Sequence, residues 1–147
     1  MRHIIFNMQF KGMAAPTGEE GVMKANTSAT SCSMKSVIGE DGVEGAFAPA
    51  EGGMAFFESE VRMTDAGRFV EKGSISFGDD HTLEFSTVGE GILEPSADPQ
   101  TMTGAVIWKI ETGAGQFHNA SGYITSNFSV SAAGEVTDHQ FGSIYVP

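Results

Sequence analysis

The sequence predicts an all-β domain, a closed antiparallel barrel of about eight strands with little helix. Three observations carry this expectation. Apolar and polar residues alternate with a period of two along much of the chain, and helical periodicity is nearly absent. Eleven phenylalanines and nineteen glycines, with many serines and threonines, favour pleated strands joined by tight turns. Turn signals recur at regular spacing, and a sheet built from many short strands avoids exposed edges by closing on itself. The 147 residues are read as a single domain over 1–147, long enough to bury a substantial core.

In chain order, Ile4, Phe6, Met8 and Phe10 share one face of a first strand. Residues 11–28, rich in Gly, Ala, Thr and Ser, read as an irregular connection. Strands near 29–37 and 43–48 flank the turn "GEDG" at 39–42, and "AEGG" at 50–53 reads as the next turn. In "MAFFESEVRM" (54–63), Ala55, Phe57, Val61 and Met63 fall on one side and Glu58, Glu60 and Arg62 on the other. Further strands are expected near 68–77, 82–88, 104–111, 116–131 and 136–146, with turns at "GDD" (78–80) and "AAGE" (132–135). The two prolines of "EPSADPQT" (94–101) exclude a central strand, so this stretch is an ordered loop or a short helical turn.

Eight basic and nineteen acidic residues give a formal charge of −11, which argues against nucleic acid or an anionic membrane surface as partner. Cys32 is the only cysteine, so no intrachain disulfide forms, and "TSCSMKS" reads as a packed strand residue with no histidine beside it. "MRHIIFNMQFKGM" lacks the apolar core and cleavage site of a signal peptide, and no apolar run approaches a membrane-spanning helix. The default expectation is a cytoplasmic protein.

The stretch "GAGQFHNASG" (113–122) looks at first like a phosphate-cradling loop. A dinucleotide fingerprint needs a helix after its glycines, and "YITSNFSVS" follows instead, alternating and rich in β-formers. The glycines therefore read as turn geometry, Phe117 as an inward plug, and Ala120 and Gly122 as points of close strand approach. "TDAGRFVEKGSISF" (64–77) echoes "TGAGQFHNASGYITSNF" (112–128), as if one hairpin were built twice with an extra residue, read as a β-bulge, in the second copy.

With those two segments and the closing "GEVTDHQFGSIYVP", residues 22–147 resemble the allene oxide cyclase and dirigent barrel superfamily, in particular its uncharacterised, lipocalin-like bacterial branch. The resemblance implies a closed eight-stranded antiparallel barrel that often self-associates. In the cyclases it also implies an apolar cavity that imposes one conformation on a flexible substrate. None of the cyclases' catalytic positions maps onto this chain residue by residue.

Trp108, mid-strand between Val106 and Ile110, is a core or interface anchor, or else the floor of a ligand site. Tyr123 and Asn127 lie on the polar side of their strand and offer hydrogen bonds if that side faces the interior. Glu58, Glu60 and Arg62 form a solvated stripe if they face out, the arrangement their apolar neighbours favour, or a buried polar network if they face in. Asp138 and His139 suggest acid–base work, but adjacent strand residues point to opposite faces. Glu94 and Asp98 would be rim residues if the proline loop lids the barrel mouth. No two histidines have a short metal-ligand spacing, so neither metal nor cofactor is expected.

The leading expectation is a barrel that binds a small apolar or amphipathic molecule in its interior, with Trp108, Tyr123, Asn127, Glu58 and His139 as candidate contacts. Any catalysis would be isomerisation or cyclisation by positioning. The alternative is a barrel filled by Phe and Met that acts through self-association, as a homodimer, or through a protein partner. An interior cavity above roughly 300 Å³ with convergent polar groups favours the first, and a filled interior the second.

Overall fold

A computed structural model describes all residues from Met1 to Pro147. Nine strands make one antiparallel sheet: β1 (Arg2–Pro16), β2 (Val22–Gly39), β3 (Gly42–Asp65), β4 (Arg68–Phe77), β5 (Thr82–Thr87), β6 (Gly91–Pro95), β7 (Thr101–Ala114), β8 (Ser121–Ser131) and β9 (Glu135–Val146). A single 3-10 turn, Gly115–Phe117, is the only helical element. The order β3-β2-β1-β9-β8-β7-β5-β4 returns to its start through a β3–β4 ladder, so the sheet is a ring.

Nine strands occupy eight positions in that ring, because β5 and β6 share one. Both pair with β4 on one side and β7 on the other, and Val88–Glu90 interrupts them. Thr87 spans the interruption. Its hydroxyl donates to the Glu71 carbonyl at 2.9 Å and accepts the Glu71 amide at 2.7 Å, replacing ladder bonds the break removes.

Alternation places one set of side chains inside the ring. Phe10, Phe57, Phe85, Trp108, Ile75 and Ile124 form its buried middle. Three inward phenylalanines lie over the glycine paired with them on the next strand: Phe6 over Gly142, Phe69 over Gly91 and Phe128 over Gly104. A β-carbon on any of these glycines would fall within 2.4 Å of the ring it supports. At one end, Phe117 swings in from the 3-10 turn and packs on Phe77, which in turn meets Phe6, with centroids 5.4 and 5.2 Å apart.

Several expectations need correction. Residues 11–28 are not irregular: β1 runs through Pro16 and β2 begins at Val22, leaving only a short connection. Their small residues serve close approach, since a β-carbon on Gly12 would strike the Asn26 carbonyl. "AEGG" is no turn either. It is an insertion within β3 where the β2 register jumps from Thr30↔Met54 to Cys32↔Pro49. Gly52 there has φ 148°, and the Ser31 hydroxyl bonds the Gly53 carbonyl at 2.7 Å.

Beyond this bend β2 and β3 leave the ring as a two-stranded arm turning at Glu40–Asp41, where the "GEDG" turn was expected. Every residue from Ser33 to Met54 is exposed. One face of the arm carries the cross-strand pairs Cys32–Pro49, Met34–Phe47 and Ile38–Val43 and no charged side chain. The arm's base is tied to the ring by the Cys32 thiol, which donates to the Asn7 carbonyl.

The echoed hairpins differ in how they turn. The first closes tightly at Ala66–Gly67, whereas the second takes up its extra length in the 3-10 turn and at Asn119, with φ 59°, rather than in a β-bulge. Both copies place their phenylalanine, Phe69 or Phe117, in the core. Both also place a later glycine, Gly73 or Gly122, against a neighbouring backbone carbonyl too closely for any side chain.

Candidate functional site

The end of the ring opposite Phe117 is chemically different. There the inward register of β4, Phe69-Glu71-Gly73-Ile75, delivers a carboxyl group, and that of β9, Val136-Asp138-Gln140, delivers a second. Both side chains are buried, 8% and 5% exposed. Glu71 accepts the Ser59 hydroxyl at 2.6 Å on one oxygen and the Trp108 indole N–H at 3.3 Å on the other. Asp138 accepts the Ser126 hydroxyl at 2.6 Å and the Gln140 side-chain amide at 2.9 Å.

Burial is the main influence on both acids. Removal from water pushes Glu71 up to about 7, against the Ser59 hydrogen bond, and the charge of Asp138 raises it further. The same desolvation pushes Asp138 up to about 6, opposed by hydrogen bonds from Ser126 and Gln140 and by the positive potential of His139. Both groups therefore exchange protons near neutrality, as proton donors and acceptors in a site must.

Above the two acids lies a cavity of about 100 Å³. Its walls are apolar, chiefly Phe57, Phe69, Trp108 and Phe128, with Met23 and Met63 among the less buried residues lining it. Thr27 also lines it, and the Thr27 hydroxyl is buried with no hydrogen-bond partner. The space is well below the roughly 300 Å³ of sites for drug-sized ligands, so it suits a small molecule or one end of a larger one. Larger depressions of about 660 and 510 Å³ lie on the outer wall. The first is open and charged, with Lys24, Glu58, Lys72, Glu84 and Glu111 on its surface. Ligand sites are enclosed and mostly apolar, which favours the smaller interior space.

Of the five candidate contacts named from the sequence, Trp108 alone reaches this cavity, joined by Asp138 from the Asp138–His139 pair. Glu58 points to solvent, and its neighbours Glu60 and Arg62 form an outer ion pair at 2.7 Å joined by Glu19 at 3.1 Å. Tyr123 is 54% exposed and Asn127 also faces outward. His139 is outside as well, its Nε2 3.0 Å from the Gln9 amide, while its neighbour Asp138 is inside rather than sharing an exposed pair. Glu94 and Asp98 are exposed. Asp98 organises residues 96–100 as a turn by accepting the Gln100 amide and the Thr101 hydroxyl, whereas Glu94 and Pro95, expected in the loop, pair with Thr103 and Met102 as the end of β6.

Sequence reasoning missed Glu71, Thr27 and Ser126 and treated Asp138 only as a partner for its neighbour. The available signal was the inward register itself: Glu71 alternates with Phe69 and Ile75, and Asp138 with Ile144 and Val146. No three His, Cys, Asp or Glu side chains converge in a way that would hold a metal ion. No helix is long and apolar enough to cross a membrane. No family model, curated protein or solved structure matches the chain.

Proposed function

We propose that the chain is a small-molecule-binding barrel of the allene oxide cyclase and dirigent type, whose ligand enters the open end and sets its polar group against Glu71 and Asp138. The observation that carries this reading is two buried carboxyl groups at the floor of an apolar cavity whose remaining hydroxyl, Thr27, has no partner. A core built only for stability would satisfy or omit such groups. Where a reaction follows, the aromatic walls hold the substrate's shape and an acid near neutral pKa moves the proton, as isomerisation or cyclisation requires.

The chain's one tryptophan is the natural reporter, because Trp108 touches both the cavity and Glu71. Native mass spectrometry should find a co-purified small molecule, and adding that molecule back should shift Trp108 emission. Val61→Phe, which fills the cavity, should abolish the shift. A bare protein whose emission responds to no small amphiphile overturns the reading.

The arm supports a second reading, self-association as a homodimer. A two-stranded ribbon is marginal in water, and its uncharged face adds no local charge to the repulsion between two chains of net charge −11. The outer face of β1, β7, β8 and β9, where Ile5, Ile107, Tyr123 and Phe141 are exposed close together, is its landing surface on the second copy. Light scattering at micromolar concentration should give twice the chain mass, and Ile38→Lys with Val43→Lys should halve it. A wild-type monomer overturns this second reading.

A further inference from the structure

We infer that the interior cavity selects a small organic cation, a primary alkylammonium group whose N–H donors meet Glu71, Asp138 and Thr27 while its alkyl end lies among Phe57, Phe69, Trp108 and Phe128. This deepens the cavity reading and rests on it.

Charge balance is the first argument. Two acidic side chains are buried at the floor, and no Lys, Arg or His lines the cavity or belongs to the buried set. Buried acids are ordinarily paired with a cation, and here none is supplied by the protein. Hydrogen-bond capacity is the second. Each carboxylate oxygen accepts one bond from the protein, from Ser59 and Trp108 on Glu71 and from Ser126 and Gln140 on Asp138. A carboxylate has about four lone-pair positions, so acceptor capacity remains on both groups. Thr27 lines the same space, and its hydroxyl, buried and unpartnered, has acceptor capacity to spare. Three acceptors match the three donors of a primary ammonium. An alcohol brings one donor, and a carboxylate ligand brings only more negative charge.

The walls agree with this polarity. Four aromatic rings line the cavity, and ring faces attract cations most when water is excluded. The net charge of −11 also draws cations toward the molecule from solution. The size sets the alkyl group: about 100 Å³ is smaller than the roughly 150 Å³ cavity that holds benzene, so four or so carbons fill it. Glu71 on β4 and Asp138 on β9 are the only titratable groups the surrounding strands present to the cavity, and His139 influences Asp138 from the outer face. Cation binding accordingly requires an ionised carboxylate at the floor, so it releases a proton where the acids start protonated and weakens as pH falls.

The test uses the full chain and three probes of one shape: isobutylammonium chloride, isobutanol and sodium isobutyrate, followed by Trp108 emission and calorimetry. At pH 8 the ammonium should bind at least tenfold more tightly than the alcohol, and isobutyrate should not bind. Between pH 8 and pH 5 the ammonium affinity should fall at least tenfold, while the alcohol changes little. Glu71→Gln, Asp138→Asn and Thr27→Val preserve shape, and each should cut the ammonium-to-alcohol ratio, by about tenfold for the acids and several-fold for Thr27. Circular dichroism confirms that each variant folds, and a variant that does not is replaced in the test by the pH series on the unaltered chain. If the alcohol or isobutyrate binds as well as the ammonium, the cation inference is overturned and the cavity reading stands. If none of the three binds while another small amphiphile shifts Trp108 emission, the cation inference alone is overturned, and if no small amphiphile shifts it, both are.

Discussion

The two ends of the ring are filled by the same alternation and come out as opposites. At one end the inward positions are Phe6, Phe77 and Phe117, and the 3-10 turn lets Phe117 fold back as a lid of side chain. At the other, inward positions carry Glu71, Asp138, Thr27 and Ser126, small alanines stand opposite, and no turn supplies a plug. The closed end uses burial to gain stability, whereas the open end places polar groups where burial is costly. That cost marks the open end as the place where structure serves something other than folding.

The largest expected effect lies at the closed end. Phe117→Ala should lower unfolding free energy by about 3–5 kcal/mol in urea titrations, because the lost ring leaves a void against Phe77. The titration of Glu71, followed through Trp108 emission, should survive that change. A loss under about 1 kcal/mol would show that the plug carries no more weight than an exposed side chain.

Next comes Glu71→Gln, with the opposite sign. Glu71 and Asp138 both have folded pKa values above their ordinary ones, so protonation favours the folded chain. Their contribution is complete below about pH 4 and is lost as pH rises through about 6 and 7. Glu71→Gln should therefore raise stability by about 2–3 kcal/mol at pH 8 and leave it nearly unchanged at pH 4. Chemical denaturation at the two pH values checks this, and equal effects at both would show that Glu71 is not desolvated.

Asp138→Asn should act in the same direction by about 1–3 kcal/mol, with its pH dependence centred lower, near 6. The smallest effects belong to the outer wall. Tyr123→Ala, Asn127→Ala and Glu58→Ala should each change monomer stability by less than about 0.5 kcal/mol and leave Trp108 emission untouched. An emission change in any of them would connect the wall to the cavity and erase the contrast between inside and outside.

Legibility followed the same division. The strands on either side of the chain's clearest alternation, such as 54–63 and 136–146, were visible because a period of two needs no knowledge of partners. Residues 11–28 and "AEGG" misled because small residues signal turns in isolation, yet here they let strands approach or shift register. The candidate site was mostly illegible. Tyr123, Asn127 and His139 are the polar groups that draw attention in a sequence, and they are polar because they face water. Glu71 was visible as a charge within "RFVEKG", but its meaning depended on which register points inward.

The sequence by itself determined the all-β class, the positions of most strands, the inward Phe117 and the single tryptophan, since these follow from local alternation and steric rules. Only the tertiary structure decided that β5 and β6 share one position, that the β2–β3 hairpin leaves the ring as an arm, and that Glu71 and Asp138 meet one cavity. Those facts depend on ring closure, which brings together residues far apart in the chain and sets by strand register which of them lose their water.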